Sequence, residues 1–137
     1  MRVGVILAAG LAQLAFIACG DDDPELSDDE RVRQIAGVTE LAANAYAAAG
    51  PEGLYDYLAP QVTERCSKPN LVATLDEQDI PDGFRRLASV EFDGTEATAR
   101  VVQLFGDEER ETDWVFASLS VNTWRLIDVP GLDRCHN

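Results

Sequence analysis

The apolar residues of this chain recur with two different spacings, a helical one at first and a stranded one later. Between Ser27 and Ala49 they return every three or four residues, which predicts one long amphipathic helix. Ser27 and Glu30 form a capping-box pattern at its start, and Gly50 marks its end. The predicted buried face comprises Val32, Ile35, Ala36, Thr39, Ala42, Ala43 and Tyr46.

Two shorter helices are predicted to follow the long one. The first is PEGLYDYLAP, which Pro60 closes, and the second is SKPNLVATLDEQ, which has Ser67 as its N-cap. Each has a few apolar residues at helical spacing, so each is expected to pack with one side against the rest of the domain. The predicted inward residues are Leu54, Tyr55, Leu58, Leu71, Val72 and Leu75.

Beyond these helices the spacing falls to two, which predicts β-strands. Four runs show it: FRRLASVEF, ATARVVQLF, TDWVFASLSV and WRLIDV. In the first run, strict alternation places Leu87 and Ser89 on one face and Ala88, Val90 and Phe92 on the other.

The predicted links between the strands are short. Asp93-Gly94 and Asn122-Thr123 are tight-turn signals, and the polar segment GDEERE separates the second run from the third. Strands joined by such short links must be antiparallel neighbours. The expected fold class is therefore α+β, with N-terminal helices packed on one face of a curved antiparallel sheet of about four strands.

The charge balance excludes one class of function. The chain has 137 residues, enough for one domain with its own core, and carries 25 acidic and 11 basic residues, a formal net charge of −14. Nucleic-acid binding needs Lys and Arg opposite the phosphates, so no nucleic-acid partner is expected. The same charge argues against electrostatic adsorption to anionic lipid.

An abrupt change from apolar to acidic residues falls at Cys19. Residues 1–18 have one basic residue and then an apolar run shorter than the roughly 20 residues of a membrane-spanning helix, as in a secretory signal peptide. The segment FIAC resembles the lipobox of bacterial lipoproteins, in which the cysteine receives a diacylglycerol and the chain is cut before it. The alternatives are an uncleaved N-terminal helix and an ordinary signal peptide that contains a cysteine.

The lipobox resemblance implies a division of the chain and a location. Residues 1–18 would be the signal peptide, Cys19 the lipidated residue, residues 19–27 an acidic tether and residues 28–137 the folded domain. Two acyl chains, palmitate for example, suffice for stable anchoring. The membrane would thus be a partner, with the protein in the cell envelope and facing outside the cytoplasm.

If Cys19 is acylated, Cys66 and Cys135 are the two cysteines that remain. They can pair only with each other, and an exported location permits a disulfide. The alternatives are a reactive thiol and a metal site, but zinc usually takes four ligands and only His136 lies beside this pair. We therefore expect a structural disulfide, no metal and no cofactor.

Three further segments, AAGPEGLYDYLAP, RCSKP and WVFASLSVNTWRLIDVPGLDRC, resemble small bacterial lipoproteins with a nuclear transport factor 2-like (SnoaL-like) domain. The resemblance covers residues 28–137 and implies a cone-shaped roll, in which the long helix and the concave sheet face form a cleft. In this superfamily some members use the cleft for catalysis and many use it only for binding or dimerisation.

Period-two counting places three polar residues in register with apolar strand residues, namely Gln103, Asp113 and Asp128. A carboxylate in an apolar cleft has a raised pKa and can act as a general acid or base. Tyrosines of the helical half would supply a hydroxyl donor. The residues expected to line the cleft are Tyr46, Tyr55, Gln103, Asp113, Trp114, Trp124 and Asp128.

These features favour a lipid-anchored domain outside the cytoplasm that binds a small apolar ligand or a protein partner without catalysis. One alternative is an isomerase- or dehydratase-like enzyme that uses a cleft carboxylate, and another is a structural lipoprotein that forms a homodimer through its sheet. An enclosed carboxylate within hydrogen-bond reach of a tyrosine would favour the enzyme. A dry or shallow cleft would favour binding or packing.

Overall fold

A computed structural model of the chain describes residues 28–137, so the predicted signal peptide, Cys19, the predicted tether and the predicted Ser27 cap lie outside the described residues. The described chain runs through four helices, a four-stranded sheet and a final turn of 3₁₀ helix, which confirms the α+β order. The elements are α1 Asp28–Ala49, α2 Pro51–Tyr55, α3 Pro60–Thr63, α4 Lys68–Leu75, β1 Gly83–Asp93, β2 Glu96–Phe105, β3 Glu108–Ser120, β4 Thr123–Asp128 and the 3₁₀ turn Leu132–Arg134.

Helix α1 packs along the sheet with the face that the sequence predicts. Its buried residues are Ile35, Thr39, Ala42, Ala43 and Tyr46. Val32, in the first turns, is 37% exposed, and Ala36 is only partly buried, so the buried stripe is narrower than predicted. Gly50 ends the helix with a φ of 73° and donates its N–H to the Tyr46 carbonyl at 2.8 Å.

The segment predicted as one second helix is two helices with an extended step between them. Helix α2 ends at Tyr55, and Pro60 opens α3 instead of closing α2. Proline lacks an N–H and suits a first helical turn, and it forces the residue before it, Ala59, into an extended conformation (ψ 155°). The extended step pairs with β4, because Ala59 donates to the Leu126 carbonyl and Leu126 donates to the Tyr57 carbonyl, each at 2.8 Å.

Helix α4 begins at the cap that the sequence predicts. The Ser67 hydroxyl accepts the Asn70 N–H at 3.3 Å. The helix ends at Leu75, three residues earlier than predicted, and Leu71 and Leu75 are its buried residues while Val72 is only partly covered.

The four strands form one antiparallel sheet in the order β1-β2-β3-β4, joined by two-residue hairpin loops. Gly94 has the positive φ that the Asp93-Gly94 signal predicts, 64°, but the first loop is Gly94-Thr95, one residue later than the predicted pair. The second loop takes only Gly106 and Asp107, so most of the polar segment predicted as a link is strand β3. The third loop is one residue earlier than predicted, at 121–122.

Strand β1 departs from simple alternation. Its pairing with β2 shifts register twice, between Phe84 and Arg86 and between Leu87 and Ser89. Each irregularity adds one residue to a single strand and reverses the faces beyond it. As a result Leu87 packs against the core together with Val90, three residues on, and the predicted separation of these two residues onto opposite faces is wrong.

Strands β2 and β3 pair without a register shift, whereas β3 and β4 shift register twice, between Val115 and Phe116 and between Ser118 and Ser120. One face of the sheet is turned toward the helices and the other away from them. The inner face carries buried residues such as Val101, Trp114 and Leu126. The outer face carries ion pairs, in which the Arg100 guanidinium lies 3.4 Å from Glu111 and 3.2 Å from Asp113.

Cys66 and Cys135 form the predicted disulfide, with their Cα atoms 5.4 Å apart. Both are fully buried. The bond fixes the C-terminal tail beside α4, where Asn137 donates its backbone N–H to the Arg65 carbonyl at 2.8 Å and accepts the Ser67 N–H at 2.7 Å. The tail is therefore held both covalently and by hydrogen bonds.

Candidate functional site

A cavity of about 430 Å³ lies between the end of α1 and the inner face of β2 and β3. We call it the inner-face cavity. Helix α1 contributes Tyr46 to the lining of this cavity, and the two strands contribute five further residues. The loop after α4 and the segment after β4 complete the wall. Its lining residues are Tyr46, Gln78, Asp79, Pro81, Gln103, Phe105, Arg110, Thr112, Trp114 and Pro130.

The register of β2 and β3 brings the strand residues of this cavity together. Gln103 lies opposite Arg110, Thr112 lies opposite Val101, and Trp114 lies opposite Ala99. Residues two apart on a strand share a face, so these polar side chains follow one another along the inner side of the sheet. The small Ala99 leaves room beside the Trp114 ring.

Four residues of this lining each keep one polar atom that is shut off from solvent and has no hydrogen-bond partner within residues 28–137. These atoms are the Tyr46 hydroxyl, Gln103 Nε2, Thr112 Oγ1 and Trp114 Nε1. Most buried polar groups in folded proteins are paired, because leaving one unpaired costs about 1–3 kcal/mol. Four unpaired atoms at one cavity are therefore an unusual concentration.

The hydroxyl of Tyr46 stays protonated over a wider pH range than a free phenol. Burial raises its pKa above 10.0. A contact with the Gln78 side chain, which falls short of hydrogen-bond geometry, opposes the rise, and the negative charge of Asp76 adds to it. Gln78 uses its own amide elsewhere, donating to the Pro130 carbonyl at 2.9 Å and accepting from Arg134 at 3.1 Å. Tyr46 is thus a neutral donor at the cavity wall.

Arg110 stands at the mouth of the cavity between two carboxylates. Its guanidinium is 3.2 Å from Asp79 and 3.1 Å from Glu108, and it covers the Phe105 ring at 4.3 Å from the centroid. These acids, Glu108 first, raise the pKa of Arg110. The Asp79 bridge ties the loop after α4 to the sheet, and Asp82 of the same loop accepts the Gly106 N–H at 2.5 Å.

A second cavity, of about 550 Å³, lies at the opposite end of α1 beside the first hairpin. The indole N–H of its Trp124 is already paired, since Nε1 donates to Gln34 Oε1 at 2.9 Å. The Arg31 guanidinium lies over the Phe92 ring at 4.0 Å and also donates to the Gly94 carbonyl at 3.3 Å. Trp124, expected to line a cleft, is in this second cavity.

The structure brings three of the expected cleft residues, Tyr46, Gln103 and Trp114, to the inner-face cavity and places the rest elsewhere. Asp113 is on the outer face, where its side chain is 51% exposed beside Arg100. Tyr55 lies under Lys68, whose ammonium is 5.5 Å from the ring centroid.

Asp128 ends β4 on an exposed position. Partial burial of its carboxyl raises its pKa above 3.8. The charge of Asp133 adds to the rise, whereas Arg65 and a backbone hydrogen bond at Val129 oppose it.

Thr112 and Arg110 line the cavity but are not among the residues that the sequence predicts to line the cleft. Asp113 and Trp114 are adjacent on one strand and so cannot share a face. The large Trp114 and Phe116 mark the buried face of β3, and Thr112 is in register with them. The spacing of that aromatic pair in the sequence indicates which face of β3 is buried, and thus that Thr112 faces inward. Asp79 of the cavity wall comes from a loop and carries no periodic signal.

No cluster of three or more His, Cys, Asp or Glu side chains in residues 28–137 is arranged to hold a metal ion. Among the same residues no helix is long and apolar enough to span a membrane. Comparisons of the chain with protein-family models, curated proteins and solved structures gave no match.

Proposed function

We propose that this chain is a lipid-anchored protein of the cell envelope, facing outside the cytoplasm, whose domain binds a small organic ligand in the inner-face cavity. The observation that carries the proposal is the group of four unpaired polar atoms around that cavity. A ligand that enters and pairs with them would remove a penalty that the empty fold bears. The volume of about 430 Å³ is in the range of small-molecule sites.

Anchoring is supported by the sequence before the domain. The apolar run of residues 3–18, the FIAC segment and the acidic residues after Cys19 together match the order of a lipoprotein precursor. A polar tether of like charges is extended, which would hold the domain away from the bilayer.

We also propose that the domain is a nuclear transport factor 2-like roll. Its support is the long helix α1 lying against the inner face of a four-stranded antiparallel sheet, with a half-open cavity between them. The two register shifts of β1 bend that strand, as a curved sheet requires.

The lining of the cavity favours binding over catalysis. Asp79 is the only carboxylate along its described lining, and its side chain is 72% exposed and paired with Arg110. No described carboxylate is within hydrogen-bond distance of the Tyr46 hydroxyl. The enclosed aspartate–tyrosine pair that an isomerase-like mechanism needs is thus not assembled in residues 28–137.

The outer sheet face gives little support to dimerisation through the sheet. Its centre is occupied by the Arg100 ion pairs, and Glu109 receives Arg85 at 3.1 Å and Arg86 at 3.6 Å. Stable homodimer interfaces are usually apolar at their centre, and charged residues are depleted there.

Ligand binding is tested by native mass spectrometry of the protein isolated from its own envelope. Thr112→Leu extends a larger side chain into the cavity, so we expect it to lose a bound small molecule that the wild type retains. Thr98→Leu is the matched control, because Thr98 lies on the opposite face of the same sheet. Wild-type protein without any bound molecule, or Thr112→Leu with unchanged occupancy, would contradict the proposal.

Anchoring is tested separately by Cys19→Ser. The variant should leave the membrane fraction or accumulate as an uncleaved precursor, while the domain keeps its fold. If it is processed and stays membrane-bound like the wild type, the lipoprotein assignment fails.

A further inference from the structure

The residues that line the inner-face cavity include unpaired donors, whose polar atoms are shut off from solvent. Trp114 Nε1 can only donate a hydrogen bond, and the Gln103 amide nitrogen can only donate as well. The hydroxyls of Tyr46 and Thr112 can donate or accept, so they adapt to either kind of partner. A ligand that satisfies all four groups must therefore offer hydrogen-bond acceptors to at least two of them.

The charges around the cavity disfavour an anion. Arg110, the one cation among the described lining residues, is already shared by Asp79 and Glu108, so these three groups together leave an excess of negative charge. The raised pKa of Tyr46 reports the same property, because burial and the charge of Asp76 both oppose a phenolate at this wall. A ligand carboxylate would meet the same opposition and would lose its hydration as well.

Apart from the Gln78 side chain, the remaining wall is apolar. It is formed by the Phe105 ring under Arg110 and by Pro81 and Pro130. Such a wall binds a hydrophobic body and offers few partners to further polar groups.

We infer that the ligand is an uncharged compound with an apolar body and a carbonyl-type acceptor, such as a ketone, ester or amide, that receives hydrogen bonds from Trp114 and Gln103. The inference rests on the proposed function, since it assigns a chemical class to the ligand of the same cavity. Solvent does not reach either N–H group in the ligand-free fold, so both side chains would have to turn toward the cavity for these hydrogen bonds to form.

Three probes of nearly the same shape test the inference: 2-acetylnaphthalene is neutral with an acceptor, 2-naphthoate is anionic, and 2-ethylnaphthalene has no acceptor. Each is titrated into the full chain carrying Cys19→Ser, which lacks acyl chains into which the probes would partition. The readout is the indole N–H signal of Trp114 in a proton–nitrogen correlation spectrum. Trp124 is the internal control, because its indole N–H is already bonded to Gln34.

We expect 2-acetylnaphthalene to shift the Trp114 signal and to bind on the order of tenfold more tightly than either other probe, as two neutral hydrogen bonds would produce. Equal or tighter binding of 2-naphthoate, or of 2-ethylnaphthalene, at Trp114 would overturn the inferred ligand class and leave the binding site standing. If no probe perturbs Trp114, the inference and the proposed site both fail.

Gln103→Met keeps the length and shape of the side chain but removes its donor. In this variant the preference for 2-acetylnaphthalene over 2-ethylnaphthalene should fall several-fold, whereas the affinity for 2-ethylnaphthalene should not fall, because methionine is the more apolar side chain. Thr98→Leu, on the outer face, should alter neither affinity. A preference that survives Gln103→Met would show that this amide does not recognise the acceptor.

Discussion

Replacing Gln103 by methionine should stabilise the ligand-free domain, although the change removes a polar group from a strand that is otherwise well paired. Gln103 is 3% exposed, and its Nε2 has no partner among the described residues. Methionine has nearly the same length and volume and no donor, so the variant removes an unpaired group without opening a cavity.

The magnitude follows from the cost of an unpaired buried group, about 1–3 kcal/mol. Part of this gain is offset, because the substitution also removes the amide oxygen of Gln103 and any interaction it makes. We therefore expect an increase of about 1 kcal/mol in the free energy of unfolding. For a domain of this size that corresponds to a rise of roughly 4 °C in Tm.

The assay is urea unfolding of the ligand-free protein, with the midpoint compared at constant m value. Gln34→Met is the matched control: Gln34 accepts from Trp124 Nε1 at 2.9 Å and donates to Asn122 at 3.0 Å, so its loss leaves an indole N–H unpaired. This control should lower stability by about 1–2 kcal/mol. A decrease of similar size for Gln103→Met would refute the view that its amide is unsatisfied in the ligand-free fold.

Three other perturbations have defined outcomes. Reducing the Cys66–Cys135 bond, which spans 69 residues, should lower the free energy of unfolding by up to roughly 4 kcal/mol and speed hydrogen exchange in the tail. Free thiols in the unreduced, denatured protein would show that the disulfide is not formed. Gly94→Ala should destabilise the domain by about 1 kcal/mol, because φ is 64° at this position. Gly37→Ala, in helix α1 with equally open surroundings, should stabilise it by a similar amount. Thermal unfolding in which both variants shift Tm in the same direction would refute this. Since the folded pKa of Asp128 is raised, its ionisation opposes folding as pH rises through that pKa, so Asp128→Asn should raise Tm at neutral pH and have little effect below about pH 4; a pH-independent effect would contradict the shift.

The sequence alone determined the local elements of this fold. The helical spacing of α1 and the glycine turn at Gly94 are set by residues within a few positions of each other, and so is the Ser67 cap. Such features depend on backbone preference and near neighbours, which a linear reading contains. The pairing of Cys66 with Cys135 was also accessible, because it needed only a count of the cysteines left after Cys19.

Only the tertiary structure decided which strand face is buried where the pattern allows two answers. Apolar residues follow Asp113 at two-residue spacing, and they follow Thr112 in the same way, but the helices cover the face that carries Thr112 and Trp114. In β1 the two register shifts reverse the alternation, and nothing in the spacing of its residues announces them.

The inner-face cavity is likewise a feature that only the tertiary structure decides. Tyr46, Gln78, Gln103 and Trp114 meet there from a helix, a loop and two strands, far apart in sequence. Whether the Trp114 indole finds a partner depends on how closely α1 and the loop after α4 approach the sheet. Local patterns do not encode that approach, because it results from the packing of many side chains at once. The sequence therefore supplied the donors of the candidate site, and the packing of helix on sheet left them together without partners.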